Sequence, residues 1–361
     1  MITRKVTSPA GNIFKPSNMT NDTPINFCSA PGGRIYISLD KGGTSGRGIW
    51  YSDDDGINWT QTSITTGTWS ICVTSTGRVV IARMYGKPDA IKYSDDGGIT
   101  WQDSNSAAHL RWQSLCILPT GRILAGSNGS GSGYGVPSGG VGIYYSDDNG
   151  ATWAQCRMTS ETWSLYCLPS GKVLAMNRTL GIWYSDNIGT DSLADWIDTG
   201  FAASYLTNNV VLDPHIVTAY NEVTYLCNFN NNSVYKFENN SWTSVNRPYA
   251  WYGACTVGNR TVFVMPGQAA DAWYLEAPAN IEQDDSSSCD PVDPYYWQNP
   301  HPQYLHVTPT GRVLLGTSSM GVFYSDPEIQ MNYTVKPFTG KQAKELVQQC
   351  KAYVQSLKNG N

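Results

Sequence analysis

Apolar and aromatic residues recur along this chain in short runs, separated by clusters of Gly, Asp, Asn, Ser and Thr. Five runs, Gly48-Ile-Trp-Tyr51, Ala90-Ile-Lys-Tyr93, Gly142-Ile-Tyr-Tyr145, Gly181-Ile-Trp-Tyr184 and Gly321-Val-Phe-Tyr324, each lead into a Ser-Asp pair. Runs this brief, rich in β-branched and aromatic residues and bounded by turn formers, predict strands.

Two independent turn series set the repeat. The first is Ser52-Asp-Asp-Asp-Gly-Ile-Asn-Trp59, Ser94-Asp-Asp-Gly-Gly-Ile-Thr-Trp101 and Ser146-Asp-Asp-Asn-Gly-Ala-Thr-Trp153. A worn copy follows at Ser185-Asp-Asn-Ile-Gly189 with its indole delayed to Trp196, and a remnant at Tyr324-Ser325-Asp326. The second is a Gly-Arg turn before an apolar strand: Gly33-Arg34, Gly77-Arg78, Gly121-Arg122, Gly171-Lys172, Gly311-Arg312, with Asn259-Arg260 as a looser member. The basic residues are 44, 44, 50, 88 and 52 positions apart, so a degenerate copy is expected inside the double step, over residues 222–242. Each unit reads strand, Gly-Arg turn, strand, variable loop, strand, Asp turn, strand. Four short antiparallel strands every 40 to 50 residues predict a propeller blade. The expected fold is all-β: a seven-bladed β-propeller over residues 25–337, after an N-terminal arm over 1–24.

Beyond Pro337 the period changes. Thr339-Gly-Lys-Gln342 has the form of a capping box, and Ala343, Leu346, Cys350, Tyr353 and Leu357 step by three and four. This predicts an amphipathic C-terminal helix within 338–361, a means of packing on the propeller or of joining other subunits of an assembly.

Composition narrows the class. Only 15% of residues are charged, against about a quarter in an ordinary chain, which excludes a coiled coil or a charged disordered tail. Aromatic residues at 12% suffice for a packed core. A net charge of −5 with 24 Lys+Arg argues against nucleic acid as a partner, whose binding rests on phosphate neutralisation. No apolar stretch is long enough for a membrane span, and residues 1–21 lack the apolar run of a secretory signal. Nine Cys, an odd number spread along the chain, read as free thiols of a protein made in a reducing cytoplasm. Cys28, Cys72 and Cys116 each stand six residues before a Gly-Arg basic residue, and are expected to pack rather than ligate metal.

The Ser-x-Asp-x-Gly-x-Thr-Trp pattern resembles the Asp-box, or sialidase-type BNR, repeat. It is complete at residues 94–101 and 146–153, and carries Asn58 for Thr at 52–59. The resemblance implies that Asp54, Asp96 and Asp148 brace their hairpins and that Trp59, Trp101 and Trp153 are core. It does not carry sialidase chemistry. No Arg-Ile-Pro motif is present, and Arg34, Arg78, Arg122 and Arg312 lie in turns facing away from the usual propeller site, as solvated residues or braces between blades. The repeat also occurs in glucan hydrolases, sorting receptors, photosystem assembly factors and phage tail proteins.

The informative positions are then those where each innermost strand begins. Trp69, Trp112, Trp163, Trp251 and Tyr252 stand there, with Arg83, Arg178 and Tyr134 near the same face. Indoles at the mouth of a funnel suit the apolar faces of sugar rings. No catalytic residue, metal site or cofactor is indicated. The expected function is a non-enzymatic recognition or structural module that binds a glycan or host-surface receptor. In its freedom from charge and its Ser, Thr, Asn and Gly content it is similar to phage tail and other virion-surface proteins. The alternatives are a glycoside hydrolase using carboxylates such as Asp89, Glu161, Asp213 or Glu276, and an assembly scaffold without ligand. An acidic insertion over 277–302 reads as a solvated loop.

Overall fold

The structure is a computed structural model describing residues 4–5, 14–19, 23–39, 48–83, 91–105, 110, 112–127, 142–177, 180–186, 195–201, 215–218, 224–228, 233–245, 253–257, 260–264, 272–276, 302–317 and 321–325. The C-terminal helix expected over 338–361 lies outside them. The chain divides into two compact units, Met1–Gln330 and Met331–Asn361, and the described strands all belong to the first.

Among the described residues the strands form seven four-stranded antiparallel sheets. The first holds Pro24–Ser29, Ile35–Leu39, Ile49–Ser52 and Thr60–Gln61; the second Thr68–Val73, Val79–Arg83, Ile91–Ser94 and Gln102–Asp103. The third holds Trp112–Ile117, Ile123–Ser127, Gly142–Ser146 and Ala154–Gln155; the fourth Thr162–Cys167, Val173–Asn177, Gly181–Ser185 and Ile197–Phe201. The fifth, His215–Thr218, Thr224–Asn228, Ser233–Glu238 and Ser241–Val245, occupies the stretch where the repeat spacing places its degenerate copy. The last two sheets each supply only three consecutive strands, Gly253–Val257, Arg260–Val264 and Ala272–Glu276 in the sixth, and Pro302–Val307, Val313–Thr317 and Val322–Ser325 in the seventh. The N-terminal segment completes both. Arg4–Lys5 pairs with Ala272–Glu276, and Phe14–Pro16 pairs with Val322–Ser325. An exposed third strand would present unpaired amides and carbonyls, and the early residues cover them.

The first strands lie side by side from sheet one to sheet four, from five to seven, and from seven back to one. Sheets four and five meet through Leu174, Met176 and Tyr184 on one side and Leu226 and Phe237 on the other. This closed order of radial sheets is a β-propeller. Its core lies in the seams: one cluster joins Val80, Ala82 and Ile91 of sheet two to Trp112, Ile123 and Tyr144 of sheet three. Another joins Leu314 and Val322 of sheet seven to Ile35, Ile37 and Trp59 of sheet one.

The two turn series serve these seams. Ser94 Oγ donates to Asp96 at 2.8 Å and accepts the Gly98 amide at 2.8 Å, while Asp96 accepts the amide and hydroxyl of Thr100. Ser52 with Asp54, and Ser146 with Asp148, repeat the pattern. The Trp59, Trp101 and Trp153 indoles each donate to the carbonyl of their turn glycine. Trp59 is buried; Trp101 and Trp153 are half-buried against the neighbouring clusters. Gly150 has φ +86°, and a Cβ there would meet Val80 of the preceding sheet at 3.1 Å, so the turn both bends left-handed and presses on its neighbour.

The Gly-Arg residues brace. Arg34, Arg78 and Arg122 each make an ion pair with the aspartate before the box position (Asp53, Asp95, Asp147) and lie over the aromatic ring that precedes it (Tyr51, Tyr93, Tyr145) at 4.1 to 4.4 Å. Arg34 also donates to Gly97 O of sheet two, and Arg78 to Asn149 O of sheet three. Arg312 of sheet seven pairs with Asp55 of sheet one at 2.9 Å.

A second seam contact recurs between first strands. A residue opposite the second position of one sheet's second strand meets its neighbour's next residue. At the seam of sheets three and four these are Cys116 and Cys167, joined as a disulfide with Cα atoms 6.1 Å apart. At the closing seam they are His306 and Ser29, whose ring nitrogen and hydroxyl are 2.7 Å apart, with the imidazole stacked on Phe27. Cys116 is therefore a bridging residue, correcting its expected role as a packing thiol. Cys167 falls one place off the repeated cysteine position, so spacing alone does not pair them. Among the described residues Cys28 and Cys72 carry free thiols, and burial raises the Cys28 thiol to about 11.

Both seam contacts can be probed by stability. The bridge closes a separation of 51 residues, worth about 4 kcal/mol in the chain-entropy description. Reductant, or Cys116→Ser with Cys167→Ser, is expected to lower the thermal midpoint. Burial lowers the His306 pKa from 6.5 to about 4, with Asp55 opposing. Between those values only the unfolded chain gains the proton, so stability present above pH 6.5 is lost as pH falls, by up to about 3 kcal/mol. A His306→Asn variant, lower in midpoint at pH 7, is expected to show a flatter midpoint against pH from neutral to pH 4.

Candidate ligand-binding mouth

At one end of the ring, where first strands begin and second strands finish, the pairing slips by one residue. The slip falls between Thr68 and Ser70, Trp112 and Ser114, and Thr162 and Ser164, and likewise between Pro24 and Asn26 and between Pro302 and Tyr304. The extra residues are Ile25, Trp69, Gln113, Trp163 and Gln303. All stand nine residues before the basic residue of their Gly-Arg turn. A bulge leaves its residue out of the ladder and re-aims it, and five bulges at one level place five side-chain origins around the mouth.

Trp69 and Trp163 occupy two of these positions and are half-buried. Arg83, half-buried, ends the strand paired with the start of Trp69's strand and donates to Thr66 Oγ1 at 2.8 Å. Trp112 is one residue out of phase. It pairs with Ser127, is 0% exposed, and packs edge-on to Tyr144 at 4.9 Å. Its ring has no free face for a ligand to stack on, which corrects its place among the stacking residues. Gln113 holds the ring position in that sheet. Counting back from the Gly-Arg residue finds it; the eye drawn to indoles does not. Trp251, Tyr252, Arg178 and Tyr134 lie outside the described residues.

The serines beside these positions serve the seams. Ser70 Oγ accepts the amide of Leu115, and Ser114 Oγ that of Leu165, each in the following sheet. The box carboxylates lie in the Asp turns that follow the third strands, at the end of the sheets away from the mouth, and their oxygens are taken by hydrogen bonds. Thr100 and Ser94 hold Asp96 at about 2. For Asp54 and Asp148, burial pushes upward, but the bonds from Asn58 and Ser52, and from Thr152 and Ser146, outweigh it and lower both. Such carboxylates are strongly ionised braces, ill suited to proton transfer at neutral pH. Among the described residues no group of three or more His, Cys, Asp or Glu is placed to hold a metal ion, and no helix is long and apolar enough to cross a membrane.

Comparison with models of protein families, and with curated proteins, gives no match. Solved structures do match. The extracellular domain of BT4673 from B. thetaiotaomicron superposes with a TM-score of 0.56 at 9% identity, over 87% of this chain and 39% of that one. YCF48 bound to D1 peptide gives 0.58 at 12%, over 92% and 100%. An ancestral GH74 enzyme gives 0.58 at 14%, over 87% and 46%. The chain thus spans less than half of the first and last of these. At such identities the likeness establishes the fold: the chain is a β-propeller protein. These relatives include a hydrolase and a peptide-bound protein, so the architecture leaves function to the residues at the mouth.

The register separates core from mouth in a measurable way. Trp112→Ala is expected to cost about 3–5 kcal/mol of stability, whereas Trp69→Ala costs about 1 kcal/mol or less. Urea unfolding of the two variants checks this.

Proposed function

We propose that this chain is a non-enzymatic recognition module that binds a glycan at the mouth formed by the bulged residues. The observation that carries the reading is the placement of Trp69 and Trp163 at equivalent bulges, half-buried, with Arg83 alongside. A half-buried indole at a fixed level offers an apolar face to a sugar ring at small cost in side-chain entropy. The braced Ser-x-Asp-x-Gly turns support the Asp-box reading of the repeat. On that reading the propeller is built from residues 25–337 together with outer strands supplied by the N-terminal arm over 1–24, and 338–361 is a helix that attaches it to other subunits. Resemblance to virion-surface proteins supports a position on a phage tail or another large assembly, where its partner is a host-surface glycan.

The test is a glycan array probed with wild type, Trp69→Ala and Trp163→Ala, with Ile99→Ala, an exposed turn residue, as control. The expected result is a glycan whose binding falls about ten-fold or more in both tryptophan variants and is unchanged in the control. Binding indifferent to both, or absent in wild type, overturns the reading. Release of reducing sugar, abolished by Glu161→Gln beside the fourth mouth position, would establish the hydrolase instead.

A further inference from the structure

The outer edge of a sheet is a template for another strand, and most outer edges of this ring are guarded against it. The outer strands of sheets one, two and three are two residues long. That of sheet four is bulged: its register shifts opposite Ile182 and Trp183, and Asp198 turns in to accept the Gly200 amide at 2.9 Å. Sheet six ends on the two cations of Arg4–Lys5, and sheet seven on Phe14–Pro16, whose last residue has no N–H. Sheet five has none of these devices. Its outer strand, Ser241–Val245, is five residues long and carries neither charge nor proline. It pairs with Ser233–Glu238 in unbroken register, from Glu238 opposite Ser241 to Val234 opposite Val245. Ser241, Thr243 and Ser244 are exposed. Among the described residues no strand lies on its outer side.

The turn before this strand decides which backbone groups face out. Glu238 and Ser241 flank a two-residue loop, Asn239 and Asn240 at φ +51° and +63°, the form of a type I′ hairpin. Residues flanking such a loop exchange both of their backbone hydrogen bonds, and bonded and non-bonded pairs then alternate along the ladder. Ser241, Thr243 and Val245 therefore direct N–H and C=O inward, and Trp242 and Ser244 direct theirs outward. The row is held in place. The Trp242 indole donates to Thr199 Oγ1 at 3.1 Å, and its ring packs on Phe201 and Phe237.

Such a row is complementary to itself. About a two-fold axis at Thr243, Trp242 of one chain stands opposite Ser244 of the other, and each such pair exchanges N–H···O bonds in both directions. In an isologous contact a charge near the axis meets its own copy, and the uncharged strand avoids that repulsion. A second copy also brings the row already ordered, whereas a flexible peptide would lose backbone freedom to match it.

We infer that Ser241–Val245 is a self-association edge: two copies of this chain pair these strands antiparallel about Thr243, joining sheet five of each into one continuous sheet. Antiparallel pairing turns the two mouths to opposite sides and leaves both open. This stands apart from the glycan reading and does not depend on it.

Sedimentation equilibrium of the full chain is expected to show a reversible monomer–dimer equilibrium. Thr243→Lys sets like charges face to face at the axis, and Ser244→Pro removes an N–H that the ladder within sheet five does not use. Each is expected to raise the dissociation constant about ten-fold or more, with little change in the thermal midpoint of the dilute monomer. Thr243→Glu is equally impaired alone, and an equal mixture of Thr243→Lys and Thr243→Glu regains the dimer, which also shows that both fold. Amide hydrogen exchange at Trp242 and Ser244 is expected to slow as concentration rises. A chain that stays monomeric to about 1 mM overturns the inference and leaves the edge to a partner of another kind. A dimer indifferent to both Thr243→Lys and Ser244→Pro, or a mixture that fails to restore it, overturns the pairing. Slow exchange at Trp242 and Ser244 already in the dilute monomer overturns it too, because another segment of the same chain then covers the edge.

Discussion

The structure depends on the burial of sheet faces against one another. A four-stranded sheet of short strands has two apolar faces, and among the described residues no helix covers either, so each sheet is stable only between two others. Ile35, Val80, Ile123 and Val173 are fully buried because the next sheet covers them. The polar repeats follow from the same constraint. The Ser-Asp turn sets a glycine against the preceding sheet, and the Gly-Arg turn places a guanidinium over a tyrosine with its remaining donors free to reach across. Individually, half-exposed ion pairs of this kind contribute little. Their use is geometric: they hold each sheet at one angle to the next, which a ring must keep constant to close.

Closure brings a further constraint. The last two sheets reach full width only by taking Arg4–Lys5 and Phe14–Pro16 from the other end of the chain. The closing seam adds an imidazole–hydroxyl pair where the seam of sheets three and four has a disulfide, so one geometric slot is filled by different chemistry. Disulfides persist in oxidising surroundings, so the Cys116–Cys167 bridge adds to the seam's stability under those conditions. The lowered pKa of His306 makes the closing seam acid-sensitive.

The mouth departs from this pattern. The buried serines beside the bulges bond to the following sheet, Ser70 to Leu115 and Ser114 to Leu165, while Trp69 and Trp163 at the bulges themselves stay half-buried.

By itself the sequence determined the repeat, the strand order within each unit and the structural role of the box residues. These depend on local turn chemistry and period, which composition and spacing express directly. Asp96 and Trp101 could be assigned to bracing and packing because the same residues recur at Asp54 and Trp59. The pairing of Cys116 with Cys167, the use of Arg4–Lys5 and Phe14–Pro16 as outer strands, and the exchange of Trp112 for Gln113 at the mouth were decided by the tertiary structure. Each turns on a one-residue difference in register between strands far apart in the chain. A shift of one residue reverses which face of a strand a side chain occupies, and only the assembled sheets establish which residue is the one shifted.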